Sequence, residues 1–246
     1  MLHSTKTAAA KRADFRAKLA SGELIRMPGA FNPLSAMLIE DKGFEGVYIS
    51  GAVLSADLGL PDIGLTTLTE VAHRAGQIAR VTDLPALVDA DTGFGEPMNV
   101  ARTVQILEDA GLAGMHLEDQ VNPKRCGHLD GKAVVDESTA LKRIRAAVDV
   151  PILANMTEFG KSELFTHQQL ADVGVNIVIH PVSLLRLAMG AAERGLDALL
   201  AEGSLTSSVP EMQTRARLYE LIDYEGYSGF DAGIYTFDLK NNRSGA

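Results

Sequence analysis

Asp89 and Asp91 lie two positions apart in VDADTGFG, at the end of an apolar run, and Glu118 closes a second such run in GMHLED. Carboxylates gathered at one place repel one another unless something positive sits between them. A hard divalent ion would supply that charge, and all-oxygen ligands favour Mg2+, with Mn2+ as the substitute. Side chains alternate along a strand, so Asp89 and Asp91 are expected on one face with Ala90 on the other. His116 and Glu118 share the same relation. Capping, turn formation or an ordinary salt bridge would also use such acids, and Asp91-Thr92-Gly93 reads equally well as a turn.

A second group follows in EDQVNPKRCGHLDGK, residues 118–132, where Lys124, Arg125, Cys126 and His128 fall in one short polar stretch. Basic neighbours neutralise an anionic substrate and lower a thiol pKa, which would suit Cys126 to proton transfer. A lone cysteine is also often inert, and Cys126 with His128 is too few ligands for zinc. Tyr48 and Ser50 end the run GVYISG, Asp62 sits in LGLPDIG, and Asn155 and Thr157 end ILANMT. Each could hydrogen-bond a substrate, or serve only as a turn or a cap. Arg186 could meet a substrate carboxylate or make a surface ion pair. His116 could be a hydrogen-bonded core residue that supports others. The glycines of GFGEPMN lack both the dinucleotide fingerprint and a Walker lysine, so they point to tight backbone geometry.

These groups need a frame that brings strand ends together. Six short apolar runs alternate with helix-length segments: LIRMPG (24–29), GVYISG (46–51), LPALVDAD (84–91), GMHLED (114–119), VPILAN (150–155) and NIVIHP (176–181). Continuous rather than alternating apolar runs are expected where helices cover both faces of a parallel sheet. Pro97 opens a helix that carries Val100, Val104 and Leu107 and stops at Gly111. Leu141, Ile144 and Val148 form a similar stripe, and Thr166 and Gln169 have capping-box spacing. The fold class is therefore α/β with six parallel strands evident, and functional groups should gather at the C-terminal strand edge. No homogeneous linker marks a second domain. Residues 1–246 are expected to form one barrel-type domain with an N-terminal helix and a C-terminal helical region.

Composition excludes several function classes. Net charge is -9, from 23 Lys+Arg against 32 Asp+Glu, which disfavours nucleic acid and anionic membrane as partners. Hydrophobic content of 46% in 246 residues is enough for a substantial core. The single Cys126 leaves no intrachain disulfide and suits a reducing, cytoplasmic compartment. The opening MLHSTKTAAAKRADFRAKL is basic and amphipathic without a secretory apolar region, and reads most economically as a leading helix.

Four stretches together carry a family resemblance: YISGAVLSADLGLPDIG, VDADTGFGE, HLEDQVNPKRCGH and PILANMTEFG. With them the chain resembles the isocitrate lyase/phosphoenolpyruvate mutase superfamily, particularly its bacterial 2-methylisocitrate lyases, from about Leu19 to Tyr224. The resemblance implies a Mg2+-dependent (β/α)8 TIM-barrel lyase, a homo-oligomer and commonly a tetramer with helix exchange between subunits. Its substrate would be a small di- or tricarboxylate; 2-methylisocitrate would give pyruvate and succinate in the propionate-degrading methylcitrate cycle. Asp89, Asp91 and Glu118 match the metal-side acids, Cys126 the acid that protonates the succinate-side carbanion, and Tyr48 a residue assisting charge and proton transfer. Ser50, Gly51, Asp62, Arg125, Gly127, His128 and Asn155 match substrate-side positions.

The family pattern breaks between Val150 and Pro151. There the resemblance calls for a strand ending in an Arg-Thr-Asp-like motif, a helix, and a strand ending in proline and glutamate. This chain runs straight on to Pro151, so two barrel units are missing from the pattern, with an arginine and a glutamate expected near the substrate and metal. Three functions compete on this reading: a 2-methylisocitrate lyase, a superfamily member acting on isocitrate, a dialkylmalate or a phosphonate, and a catalytically impaired oligomerisation or binding protein.

Overall fold

The computed structural model describes residues 4–118, 151, 153–160 and 163–235. All six runs form strands: β1 (Ile25–Pro28), β2 (Val47–Ile49), β3 (Ala86–Asp89), β4 (Gly114–His116), β5 (Leu153–Asn155) and β6 (Ile177–His180). Every pairing is parallel, in two sheets ordered β2-β3-β4 and β1-β6-β5. The sheets meet just beyond β1, where Gly29 bridges Tyr48 in parallel and the Ala30 N–H donates to the Tyr48 carbonyl at 2.8 Å. The circuit therefore runs β5-β6-β1-β2-β3-β4. The last strand returns to lie beside the first, which is how a (β/α)8 barrel closes. Among the described residues β4 and β5 pair on one side only, and these strands flank the break in the family pattern. The expected helix with Leu141, Ile144 and Val148 lies outside the described residues.

Helices follow from local signals. The first is α1 (Ala8–Ser21), capped by Thr7, and Gly22 ends it in the left-handed conformation. Asn32 and Ser35 make a capping box at the start of α2 (Pro33–Asp41), and Thr67 and Glu70 do so at α4 (Leu68–Arg80). Between these two lies α3 (Gly51–Asp57), directly after β2. Pro97 opens α5 (Pro97–Asp109), and Gly111, at φ 92°, turns the chain out of it. The expected Thr166–Gln169 capping box forms and starts α6 (His167–Asp172).

The strands separate two apolar layers by parity. Val47, Ile49, Ala86, Val88 and Ala90 face the helices, packing with Ile39, Val71, Ala75, Ile78 and Leu107. Ile25, Met27, Tyr48, Leu87, Ile177 and Ile179 face inward, where Phe15 of α1 joins them. Burying one such aromatic contributes about 1.5–3 kcal/mol, so α1 belongs to the barrel core.

Chain contacts divide the protein into two compact units, His3–Arg194 with all six strands, and a second unit containing Gly195–Ala246. Helix α7 (Ser183–Glu202) crosses that division and buries none of its residues. The second unit continues with a 3-10 turn (Thr206–Glu211), α8 (Arg215–Leu221) and α9 (Tyr224–Tyr235), and within it Tyr219 stacks on Tyr224 at 4.5 Å.

Candidate active site

Inward parity sets a polar layer on top of an apolar one. Leu87 pairs with Gly114 across β3 and β4, and two residues on Asp89 pairs with His116. Leu153 packs on the inner cluster, so Asn155, two positions on, lies on the same face. The C-terminal strand ends thus carry Asp89, His116 and Asn155 above Tyr48, Leu87 and Met27.

Asp89 is 7% exposed and Asp91 is 6% exposed, an unusual depth for two neighbouring carboxylates. Backbone donors hold the first: the Asp91 N–H donates to Asp89 Oδ1 at 3.0 Å and the Gly51 N–H to Oδ2 at 3.3 Å. Strand β3 ends at Asp89, and Asp91 adopts φ 49°, so a turn rather than strand alternation aims its side chain. That turn is anchored from α5. The buried Thr103 hydroxyl donates to the Gly93 carbonyl at 3.0 Å, and a methyl group at Gly93 would lie 2.5 Å from Val100 Cγ2. The Glu118 N–H donates to the Asp91 carbonyl at 2.7 Å, which ties the end of the β4 segment to the same turn.

Tyr48 is the centre of this group. Its hydroxyl lies 3.3 Å from His116 Nδ1, and that nitrogen lies 3.8 Å from Asp89 Oδ1. Burial pushes the phenol pKa well above its usual 10, and the charges of Asp89, Glu118, Asp91 and Asp62 push it further the same way. Four carboxylates from three separate stretches of the chain thus act on one hydroxyl. The same surroundings therefore oppose ionisation of the Tyr48 phenol.

The donor set suits a small hydrated cation. An added Cβ at Gly51 would lie 3.2 Å from Asp89 Oδ2 and 3.3 Å from Asp91 Oδ1, so the bare glycine leaves a space that faces both acids. Among the described residues no group of three His, Cys, Asp or Glu side chains is placed to hold a metal ion, so no more than two of these acids reach one directly. Mg2+ commonly binds through one or two carboxylates and keeps several waters, so two buried acids facing an open space fit it better than a soft or fully caged ion.

Of the residues expected from sequence, Tyr48, Gly51, Asp89 and Asp91 come together here; Glu118 joins through its backbone N–H to the Asp91 carbonyl, and the charges of Glu118 and Asp62 are felt at the Tyr48 phenol. Ser50 is buried at the N-terminus of α3, 4% exposed, and Asn155 is an exposed residue at the end of β5. Arg125, Cys126, Gly127 and His128 lie outside the described residues. Arg186 donates to Glu158 Oε2 at 3.0 Å, to the Glu158 carbonyl at 2.8 Å and to Thr157 Oγ1 at 3.3 Å. It is therefore engaged with the segment that follows β5, as the ion-pair reading expected. Sequence reasoning gave His116 only a general supporting role. Its parity with Gly114 was the available signal for its inward aim, but its contact with Tyr48 joins strands from opposite sides of β3.

Comparison with known proteins places this geometry. Residues 15–159 match the family model described as phosphoenolpyruvate phosphomutase. The "probable 2-methylisocitrate lyase 2" of Corynebacterium glutamicum is 52% identical, with 92% of this chain and 93% of that protein covered. That alignment spans 285 residues, more than the 246 of this chain, so part of the relative faces a gap here. The 2-methylisocitrate lyase of Aeropyrum pernix is 36% identical over 86% of this chain and 87% of its own length. Among solved structures, oxaloacetate acetylhydrolase with 3,3-difluorooxalacetate superposes with TM-score 0.83 at 28% identity, covering 95% of this chain and 99% of that one. A phosphonopyruvate hydrolase solved with oxalate and Mg++ shares the fold at TM-score 0.76 and 22% identity, covering 90% and 98%.

Proposed function

The chain belongs to the phosphoenolpyruvate phosphomutase family, within the phosphoenolpyruvate mutase/isocitrate lyase superfamily, and is an enzyme of the lyase kind found there; from that premise we propose that it cleaves 2-methylisocitrate to pyruvate and succinate with Mg2+. The observation that carries the proposal is the buried pair Asp89 and Asp91 beside the Tyr48–His116 contact, at the C-terminal ends of the parallel strands β2, β3 and β4. The names of the relatives support the substrate class, since they act on small hydroxy- or oxo-acids with several carboxylates.

Asp89 and Asp91 would hold the ion, with Glu118 reaching it through water. When bound, it supplies positive charge beside the oxygens of the hydroxy-acid end of the substrate. The reaction removes the tertiary hydroxyl proton, forms the pyruvate carbonyl and breaks the adjacent carbon–carbon bond. The electron pair passes to the carbon of the succinate half, which then takes up a proton. Tyr48, held protonated, donates a hydrogen bond to oxygen charge that develops on the pyruvate side. His116 fixes the direction of that phenol. Gly51 leaves the substrate room against the two acids, and Asn155 offers an amide to a carboxylate. Cys126 gives its proton to the succinate-side carbon, and Arg125 and His128 neutralise substrate charge. Helix α7 exposes Leu187, Met189, Leu196 and Leu200, which supports assembly as a homo-oligomer, a tetramer by family resemblance. No helix among the described residues is long and apolar enough to cross a membrane, and the substrate is the partner we assign.

The test is Mg2+-dependent pyruvate release from 2-methylisocitrate, run beside glyoxylate release from isocitrate. The proposal expects the first to dominate and to vanish with a chelator. Full-length protein that binds Mg2+ and cleaves neither compound would overturn it, and an unchanged rate in Cys126→Ser would remove that residue from its role.

A further inference from the structure

The turn that carries Asp91 has an unfavourable backbone conformation, and what holds it there comes from outside the turn. The Gly93 N–H donates to the Ala90 carbonyl at 2.8 Å, which closes a four-residue turn with Asp91 at its second position. Asp91 at φ 49° and Phe94 at φ 58° both lie in the left-handed region. That region is costly for a residue with a bulky side chain and persists only where the surroundings over-determine it. Gly93 and Gly95, at φ 93° and 147°, take the other positive-φ positions without that cost.

Helix α5 supplies the constraint. Thr103 is fully buried, and its hydroxyl donates to the Gly93 carbonyl at 3.0 Å, ten positions back in the chain. A helical threonine commonly gives that hydroxyl to a carbonyl in the preceding turn of its own helix. Here it serves the Asp91 turn instead. Val100, 3% exposed and on the same helix, stands against Gly93, and Phe94 packs on the outer apolar cluster.

We propose that Thr103 is a positioning residue for Mg2+: by fixing the Gly93 carbonyl it keeps both acids aimed at the space beside Gly51, without touching the ion. The inference rests on the reading of Asp89 and Asp91 as the Mg2+ acids. One turn governs both of them. It aims the Asp91 side chain, and its Asp91 N–H donates to Asp89 Oδ1 at 3.0 Å. The Asp91 carbonyl accepts the Glu118 N–H at 2.7 Å, so the end of the β4 segment depends on the same backbone. Without the Thr103 hydroxyl the buried Gly93 carbonyl loses its donor from α5, and Asp91 is released toward ordinary negative φ. That rotation swings one carboxylate away and takes a backbone donor from the other. Mg2+ demands near-ideal octahedral geometry, so a small misalignment of two acids costs affinity.

The test is calorimetric titration of the full-length chain with Mg2+ alone, in metal-free buffer. The parental chain is compared with Thr103→Val, Thr103→Ala and Thr103→Ser, each checked for native helix content by circular dichroism. Valine and alanine remove the donor, with and without its volume, while serine keeps it. Mg2+ affinity should fall on the order of tenfold in Thr103→Val and Thr103→Ala and stay close to the parental value in Thr103→Ser. Parental affinity in either folded donor-less variant would overturn the proposal, even if the other failed to fold and even with a lowered Tm, because the role would then be structural alone. An equal loss in Thr103→Ser would overturn it too, since packing of the methyl group would then be what counts. A parental chain that binds Mg2+ yet cleaves neither 2-methylisocitrate nor isocitrate would sink the lyase reading and leave this one standing. A parental chain that takes up no Mg2+ would overturn both.

Discussion

The Tyr48 hydroxyl reaches His116 Nδ1 at 3.3 Å across the intervening strand β3, and the same nitrogen stands 3.8 Å from Asp89. A phenol from β2, an imidazole from β4 and a carboxylate from β3 thus form one inward-facing group. That arrangement sets the first prediction. Tyr48→Phe keeps the ring and removes the donor, so kcat should fall by about 10²-fold or more with KM changed far less. His116→Phe should lower kcat too, yet add little in the Tyr48→Phe background. Steady-state rates of the four proteins in a double-mutant cycle check it, and fully additive losses would separate the two residues.

The same hydroxyl makes alkaline stability a test of burial. The folded pKa is raised, so this group costs nothing below the unfolded value near 10. Above that value the unfolded chain releases the proton and the folded chain does not, so stability falls as pH rises. Denaturant midpoints measured at pH 8 and pH 10.5 should show a smaller loss for Tyr48→Phe than for the parental chain.

Gly51→Ala isolates the space between the acids. The new methyl would stand 3.2–3.3 Å from Asp89 Oδ2 and Asp91 Oδ1 in an otherwise helical, unstrained position. The fold should persist, with Tm little changed, while the Mg2+ concentration for half-maximal rate rises on the order of tenfold. A Mg2+ titration of activity decides it.

Asp89→Asn tests the ion directly. Mg2+ that binds only the folded chain must raise its Tm, by an amount that grows with concentration. The parental chain should show that rise and lose it in excess chelator. The variant should show neither the rise nor, within about a hundredfold, the parental rate. Thermal scans with and without Mg2+ are the measurement.

Lys11 offers a control for folding without chemistry. It is 4% exposed, and its ammonium donates to the carbonyls of Thr82 at 2.6 Å and Ala79 at 2.8 Å and to Ser4 Oγ at 3.0 Å. It fastens α1 to the end of α4. Lys11→Met fills the volume but strands those carbonyls, and should cost about 1–3 kcal/mol in denaturant unfolding. Activity per folded molecule should be unchanged.

Short-range chemistry was legible in the sequence. Each apolar run became a strand within a few residues of its expected ends, because a continuous apolar run of that length is satisfied only between covering helices. Pro97, Gly111 and the Thr166–Gln169 pair delimit helices because capping and φ are local properties. The acids at 89, 91 and 118 were equally visible as carboxylates at strand ends. Tertiary structure decided what the chain alone leaves open. Strand order brings β6 beside β1, so residues more than a hundred positions apart share one inner face. Asp62, on a loop that reads as an ordinary Pro-Asp turn, acts on Tyr48. Asp91 joins Asp89 through a left-handed turn pinned by Thr103, where alternation along a strand had been expected. His116 meets Tyr48, and Lys11 is drawn inside. Sequence spacing fixes which way a side chain leaves its own element; only packing of elements against one another fixes what it meets.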